Sequence, residues 1–166
     1  EKSLPEAKFP HNAYWWPHSG LPLVSRLAKY DEIVKAWTRT DPKSREWEST
    51  YHSLQHVSWG GHCNGWAASA VLYKEMAGVR VEPSTGISLT TSDFNGILAE
   101  GSFCVDWAFF GKRNNGAPGD DPRDIAPNRF HEVMLHYIGN VGKPVAMDYV
   151  QGSSVDNNVA TGYKFV

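Results

Sequence analysis

The 166-residue sequence predicts an α+β fold, because helical patterns dominate its first half and strand patterns its second. Apolar residues recur at helical spacing over residues 23–37, with charged residues between them. A second, alanine-rich helical pattern runs over residues 63–77 and ends before Gly78, a suitable C-cap. Two apolar-rich runs, residues 131–137 and 144–150, flank the turn sequence GNVGK and predict a β-hairpin.

We expect one domain made of three stretches. Residues 1–22 contain four prolines and no periodicity, so they should lie extended over the surface. Residues 23–101 should be mainly helical, and residues 102–166 mainly β. No internal repeat and no linker divides the sequence.

Composition limits the class of protein. The content of 41% hydrophobic and 20% charged residues is that of an ordinary globular chain. A net charge of -2 argues against a nucleic-acid binder and against attachment to anionic membranes, and no apolar run approaches the roughly 20 residues of a membrane span. The start, EKSLPEAK, has neither an initiator Met nor a signal-peptide pattern, which favours a processed or excised domain. Two cysteines cannot form a disulfide framework, and a single Cys63–Cys104 bridge stays open.

Shorter elements are expected between the main ones. The sequence SREWESTYHSLQHV predicts a second, shorter helix, and VRVEPSTGISLTTSD predicts strand and turn. Thr91 or Ser92 is placed to cap a short helix over residues 93–100.

Cys63 is the main candidate for chemistry. It follows Gly60 and Gly61 and stands at the first turn of a predicted helix. A thiol there faces backbone N–H groups without intrahelical partners and the positive end of the helix dipole, which favour the thiolate. The same N–H groups can form an oxyanion hole, and the two glycines let the preceding backbone approach closely. The alternative is a small apolar residue on a helix, as most free cysteines are.

A thiolate nucleophile needs a base, and the predicted hairpin supplies one. With the turn centred in GNVGK, His131 falls opposite Val150, and Asp148 lies on the same face, diagonally adjacent. An acceptor there would hold the second imidazole nitrogen and fix its tautomer. His136 lies an odd number of positions from His131 and should face the other way.

Two metal sites are weaker alternatives. His52, His56 and Cys63 have spacing that suits zinc, but the sequence lacks the Glu of the HExxH motif and a further paired ligand nearby. The acidic turn GDDPRD has neither the glycine nor the terminal Glu of an EF-hand loop, so a solvated turn is favoured over a calcium site.

Four segments, in the right order, resemble the oomycete transglutaminase elicitors and their bacterial relatives. WGGHCNGWAASA is similar to the family's W-G-x-C-N-G-W-A catalytic motif. The other three are EWESTYH, FHEVMLHYIGNVGKPVAMD and SVDNNVATGYKF. The last departs from the VWNQPVRGFKV-type elicitor peptide at Asp156 and at residues 159–161, which argues against recognition by plant immune receptors.

The resemblance implies a papain-like or transglutaminase-like α+β fold, in which the catalytic Cys at a helix N-terminus packs against an antiparallel sheet that carries His and Asp. It implies a single catalytic domain with Cys63 as nucleophile, His131 as base and Asp148 as its orienting partner. No cofactor is required for this triad, and Ca²⁺ is implied by the resemblance alone.

Three residues are candidates for oxyanion or substrate contacts. Gln55 is a candidate by analogy with papain-like enzymes, which use an upstream Gln, and the indole N–H of Trp59 is an equal rival. Asn64, directly after the nucleophile, is the third candidate.

The first functional hypothesis is therefore a protein-glutamine γ-glutamyltransferase, a secreted or delivered enzyme that cross-links proteins through Gln and Lys side chains. The runner-up is a cysteine peptidase or amidase with the same triad, in which water instead of an amine resolves the thioester. A third hypothesis is an inactive binding or elicitor domain. The expected partners are protein substrates, together with an inhibitor or immunity protein if the chain is a delivered toxin.

Overall fold

A computed structural model describes residues 1–11, 14–52, 60–106, 108–111, 125–148 and 158–166. These residues form five α-helices and three two-stranded antiparallel sheets, which confirms the predicted α+β class. None of the helices in these ranges is both long and apolar enough to cross a bilayer. The chain divides into two compact units, which we call the central unit, His11–Val105, and the terminal unit, Glu1–Pro10 with Asp106–Val166.

Helices dominate the central unit. Its elements in chain order are α1 (Val24–Thr38), α2 (Ser44–Tyr51), α3 (Cys63–Leu72), β2 (Val79–Val81), β3 (Ser88–Thr90) and α4 (Thr91–Gly101). Helix α1 packs against both α2 and α4, and α3 packs mainly against α4. Strands β2 and β3 form a short antiparallel hairpin within the stretch predicted as strand and turn.

The predicted helix over residues 23–37 is confirmed as α1, and it also determines where α2 begins. Asp31 of α1 is buried, and its two carboxylate oxygens accept hydrogen bonds from the backbone N–H groups of Ser44 and Arg45, each at 3.0 Å. A carboxylate at the start of a helix satisfies N–H groups that have no intrahelical partner. The core of the unit consists of Trp16, Leu23, Leu27 and Ala99, with Trp66 packed against it.

Helices α3 and α4 approach each other closely. A Cβ added to Gly65 would clash with the backbone carbonyl of Ala99, so this contact requires glycine on α3. Helix α3 is shorter than predicted, because the chain becomes extended at Tyr73. Gly78, expected as the C-cap, lies beyond the helix with φ +92°.

The start of α4 is formed by a capping box. The Thr90 hydroxyl accepts from the Asp93 backbone N–H, and the Asp93 carboxylate accepts from the Thr90 backbone N–H. The sequence predicted a cap one or two residues later, at Thr91 or Ser92, because several hydroxyl residues adjoin there.

The sequence predicts that the segment before α1 lies over the surface, but part of this segment is buried. Trp16, Pro17 and His18 are buried, and Pro17 pairs with Gly61 in an antiparallel bridge. Trp16 has φ +50°, a left-handed backbone that is rare for a bulky residue. The apolar Trp16 side chain belongs to the core, which explains why this stretch turns inward.

The terminal unit combines short strands with one long helical stretch. Its elements are β1 (Lys2–Ser3), a 3₁₀ turn (Glu6–Lys8), α5 (Pro127–Met134), a π-helical continuation (Leu135–Val141), β4 (Val145–Met147), β5 (Asn158–Ala160) and β6 (Gly162–Tyr163). Strand β1 pairs with β6, and β4 pairs with β5, in both cases antiparallel. Leu4, Met134 and Ile138 form the core of this unit.

The predicted hairpin over residues 131–150 is wrong in its first arm. Residues 131–137 are helical, so no sheet carries His131, and the part predicted to be mainly β contains more helix than strand among its described residues. Pro127 occupies the first turn, where its missing N–H costs nothing. The second arm does contain a strand, β4, but its partner is β5.

Candidate functional site

As the sequence predicts, Cys63 lies at the start of a helix, at the first position of α3. Its side chain is partly buried. Two backbone hydrogen bonds fix the chain before it: His18 N–H donates to Gly60 O at 2.9 Å, and His62 N–H donates to Trp16 O at 3.1 Å. A Cβ on Gly61 would lie 2.6 Å from the indole ring of Trp15. Glycine is therefore required for this close approach, which positions the thiol at the helix start.

His62, the N-cap residue of α3, does not cap the helix with its side chain. Its ring is fully buried and points into a group of titratable side chains in the central unit. We call this group the histidine–glutamate cluster; its members are His18, Glu48, His52, His62 and Glu100.

Three helix ends and the segment before α1 supply the cluster. Glu48 lies in the last turns of α2, and His52 follows that helix directly. His62 precedes α3, and Glu100 lies in the last turn of α4. His18 is positioned by the bridge that joins Pro17 to Gly61. Residues that are distant in sequence thus meet at one buried point.

The distances within the cluster are short. Glu48 Oε2 lies 2.5 Å from His52 Nδ1 and 3.4 Å from His62 Nε2. Glu100 Oε2 lies 2.6 Å from His62 Nε2. One ligand atom from each of Glu48, His52, His62 and Glu100 lies within 4.8 Å of the other three, and the same holds for His18, His52 and His62 among themselves.

Aromatic packing surrounds the imidazoles. The His18 and His52 rings are stacked, with centroids 4.2 Å apart, and His62 lies edge-on to both. The Phe103 ring contacts all three imidazoles. Asn64, expected to contact the oxyanion or substrate, donates from Nδ2 to Phe103 O at 3.2 Å. The structure therefore gives Asn64 a role in holding the residue that covers the cluster.

Electrostatics couples the carboxylates and the imidazoles. Burial alone would lower the pKa of His62, but contacts with Glu100 and Glu48 outweigh burial and raise the pKa of His62 to about 9. Burial alone would raise the pKa of Glu48, but contacts with His62 and His52 outweigh it, so this pKa lies below its usual range. Near neutral pH, His62 is therefore an imidazolium between two carboxylates.

The expected partners of Cys63 belong to the terminal unit. His131 is exposed on α5 and stacks on Phe165, with ring centroids 3.9 Å apart and nearly parallel planes. Asp148 directly follows β4. Because His131 lies on a helix, the cross-strand geometry from which the sequence analysis paired it with Asp148 is not present, and the roles of the two residues stay predictions.

Several of the remaining candidates lie in parts of the chain that the structure does not describe. Gln55, Trp59 and His56 lie outside the described residues, as does the acidic turn GDDPRD. No disulfide joins Cys63 to Cys104, the bridge that the sequence left open.

Sequence reasoning missed most of the histidine–glutamate cluster. Glu48 and His52 carry a local signal, an acid and an imidazole at i and i+4 across the end of one short helix. His18, His62 and Glu100 join them only through the packing of α3 and α4 and through the backbone bridge to the segment before α1. No single window of sequence contains that information.

Comparison of the chain with protein-family models, with curated proteins and with solved structures gave no match.

Proposed function

We propose that the chain is a cysteine-dependent acyltransferase of the transglutaminase type, with Cys63 as its nucleophile. The thiolate would attack the side-chain amide carbon of a protein glutamine, forming a thioester and releasing ammonia. The amine of a lysine would then attack the thioester, forming an isopeptide bond and regenerating the thiol. A secreted or delivered enzyme that cross-links proteins would use this chemistry.

The position of Cys63 carries the proposal. It is the first residue of α3, it follows two glycines, and the N-cap side chain is directed into the interior instead of over the helix start. A thiol at that position lies beside backbone N–H donors that can stabilise an oxyanion. A small structural residue in a helix would need neither the glycine at 61 nor the first position.

The finer fold assignment belongs to this proposal. A papain-like or transglutaminase-like fold is supported by the α+β class and by a cysteine at a helix start. The helical setting of His131 differs from the arrangement in which a sheet carries the histidine. His131 as base and Asp148 as its partner therefore stay predictions from the sequence, to be tested by His131→Gln and Asp148→Asn.

The experiment is incubation of the full chain with a glutamine-bearing protein and a labelled primary amine, followed by mass spectrometry. Cys63→Ala should reduce amine incorporation by at least about a thousandfold, because the nucleophile is removed. Cys104→Ala is the matched control, since Cys104 is the second cysteine of the chain and the more exposed one, and it should retain full activity.

Other outcomes would redirect the proposal. Cys63-dependent deamidation or cleavage without amine incorporation would identify a hydrolase. Equal incorporation by the Cys63→Ala variant and the unaltered chain would contradict the nucleophile assignment. The absence of any product would leave a binding domain as the best description.

A further inference from the structure

We propose that Glu48, His52, His62 and Glu100 bind one divalent transition-metal cation, Zn²⁺ by the nature of the donors, in the interior of the central unit. This inference concerns a second site and does not rest on the proposed acyltransferase activity. It rests on the convergence of four donor atoms, on buried oxygen and nitrogen atoms that lack hydrogen bonds, and on the charge of the helix ends that meet there.

The donors converge as metal ligands do. One atom from each of the four side chains lies within 4.8 Å of the other three. Both Glu48 and His62 are fully buried, so the donor atoms are shielded from bulk water. Imidazole nitrogen and carboxylate oxygen are established zinc ligands, and four protein donors without an open position are typical of a structural zinc site.

Hydrogen bonding alone does not satisfy these atoms. Glu48 Oε1 is buried and, within the described structure, has no hydrogen-bond partner. His62 Nε2 lies close to oxygens of Glu48 and Glu100, but neither contact has hydrogen-bond geometry. A closed polar network would leave no buried carboxylate oxygen unpaired, because a buried acceptor without a partner is unfavourable. Glu48 Oε2 and His52 Nδ1 are hydrogen-bonded to each other at 2.5 Å, but Glu48 Oε1, His62 Nε2 and Glu100 Oε2 are not satisfied in this way. A cation within reach of the four side chains would give these atoms a partner.

Charge favours a cation as well. Glu48 and Glu100 both lie near helix C-termini, where the helix dipole disfavours negative charge. Two carboxylates at one buried point need compensation. A divalent cation held by both carboxylates would supply that compensation.

The ligand set differs from the zinc alternative read from the sequence. That alternative combined His52 with His56 and Cys63, whereas the structure joins His52 to Glu48, His62 and Glu100. His18, stacked on His52, lies beside the proposed ion and adds a nearby imidazole. The cation would tie the ends of α2 and α4 to the start of α3, and so fix the backbone directly before Cys63.

The test is a titration of the full chain, first treated with a chelator and then freed of it, with Co²⁺ as the spectroscopic probe and Zn²⁺ as competitor. We expect one Co²⁺ per chain, a visible d–d absorption typical of four-coordinate cobalt, and displacement by Zn²⁺. Zn²⁺ should also raise the thermal midpoint in a concentration-dependent way, because it binds only the folded state.

Variants identify the ligands. Glu100→Gln, at a side chain that is 18% exposed, should fold and should weaken metal affinity by at least about tenfold, the smallest effect expected for a direct ligand. Glu48→Gln should do the same. Glu46→Gln is the matched control, since Glu46 lies on the same helix with an exposed side chain, and it should bind Co²⁺ as the unaltered chain does.

Three results would overturn the inference. The first is the absence of stoichiometric Co²⁺ or Zn²⁺ binding by the unaltered chain. The second is equal affinity in Glu100→Gln and in Glu46→Gln. The third is a thiolate-to-cobalt charge-transfer band that disappears in Cys63→Ala, which would place Cys63 among the ligands. None of these results depends on amine incorporation.

Discussion

The neighbouring helices α3 and α4 begin in opposite ways. At the start of α4, Thr90 and Asp93 cap each other's backbone N–H groups, and Lys29 pairs with the Asp93 carboxylate at 2.7 Å. At the start of α3, the N-cap residue His62 turns its side chain away from the helix, and the first turn contains no acidic residue. The first helix residue there is Cys63.

The start of α4 is stabilised by residues of its own first turn, whereas the start of α3 is positioned by residues that are distant in sequence. A capping box satisfies the first N–H groups with side chains of the same turn, which leaves nothing there for a ligand. The α3 start is held by backbone bonds from the segment before α1 and by the histidine–glutamate cluster, both distant in sequence. A helix start without its own capping side chain is locally unfavourable, and such features are expected at functional sites.

The largest effect on stability is expected where the two helices touch. Gly65→Ala would push a methyl group against the Ala99 carbonyl, and we expect a loss of about 3 kcal/mol in the free energy of unfolding. Gly101→Ala is the control at the end of α4, where a Cβ meets nothing within 4 Å, and it should gain up to about 1 kcal/mol from helix propensity. Urea denaturation measures both, and equal stabilities would contradict the close approach.

A smaller effect is expected at the α4 cap. Thr90→Ala removes the hydroxyl that accepts from Asp93 N–H, and it should cost about 1 kcal/mol. Ser92→Ala tests the position that the sequence suggested instead. The exposed Ser92 hydroxyl accepts a long hydrogen bond from Arg26 at 3.4 Å, so its loss should cost no more than about 0.5 kcal/mol. If Ser92→Ala proved the more costly of the two in urea denaturation, the capping box at Thr90 would be wrong.

The smallest effect is a dependence of stability on pH. Burial alone would raise the pKa of Asp93, but Lys29 and Thr90 outweigh burial and hold this pKa below its ordinary value of 3.8. The unfolded chain then binds more protons, so this contribution is present above that value and is lost as the pH falls through the folded pKa. We expect Asp93→Asn to remove about 0.5 kcal/mol of acid-sensitive stability.

Urea denaturation of the unaltered chain and of Asp93→Asn at a series of acidic pH values measures this effect as the gap between their free energies of unfolding. The gap should close as the pH falls. A gap that stayed constant would show that the Asp93 carboxylate contributes nothing through its charge.

Local patterns predicted the elements that local chemistry determines. The apolar periodicity of α1 and the glycines before Cys63 were sufficient to place the first helix and the start of the third.

The hairpin prediction failed because the run HEVMLHYI fits both an alternating and a helical pattern. Phe130, Met134 and Ile138 recur at helical spacing and pack against or within one core. Pro127 is a helix-start signal that decides between the two interpretations.

The candidate site was predictable only at Cys63. Its position follows from the adjacent residues, whereas Glu48, His62 and Glu100 meet through the packing of three helix ends. Nothing near His62 in the sequence indicates the two carboxylates that it contacts. Tertiary contacts between distant residues carry that information.

The central claim is that Cys63, at the start of α3, forms a covalent acyl intermediate. The most direct measurement is mass spectrometry of the chain after incubation with the glutamine substrate in the absence of an amine, quenched in acid and digested. Our account predicts that the peptide containing Cys63 gains the mass of the acyl group and that the Cys104 peptide does not. An adduct on Cys104 alone, or substrate turnover with Cys63 never modified, would contradict it.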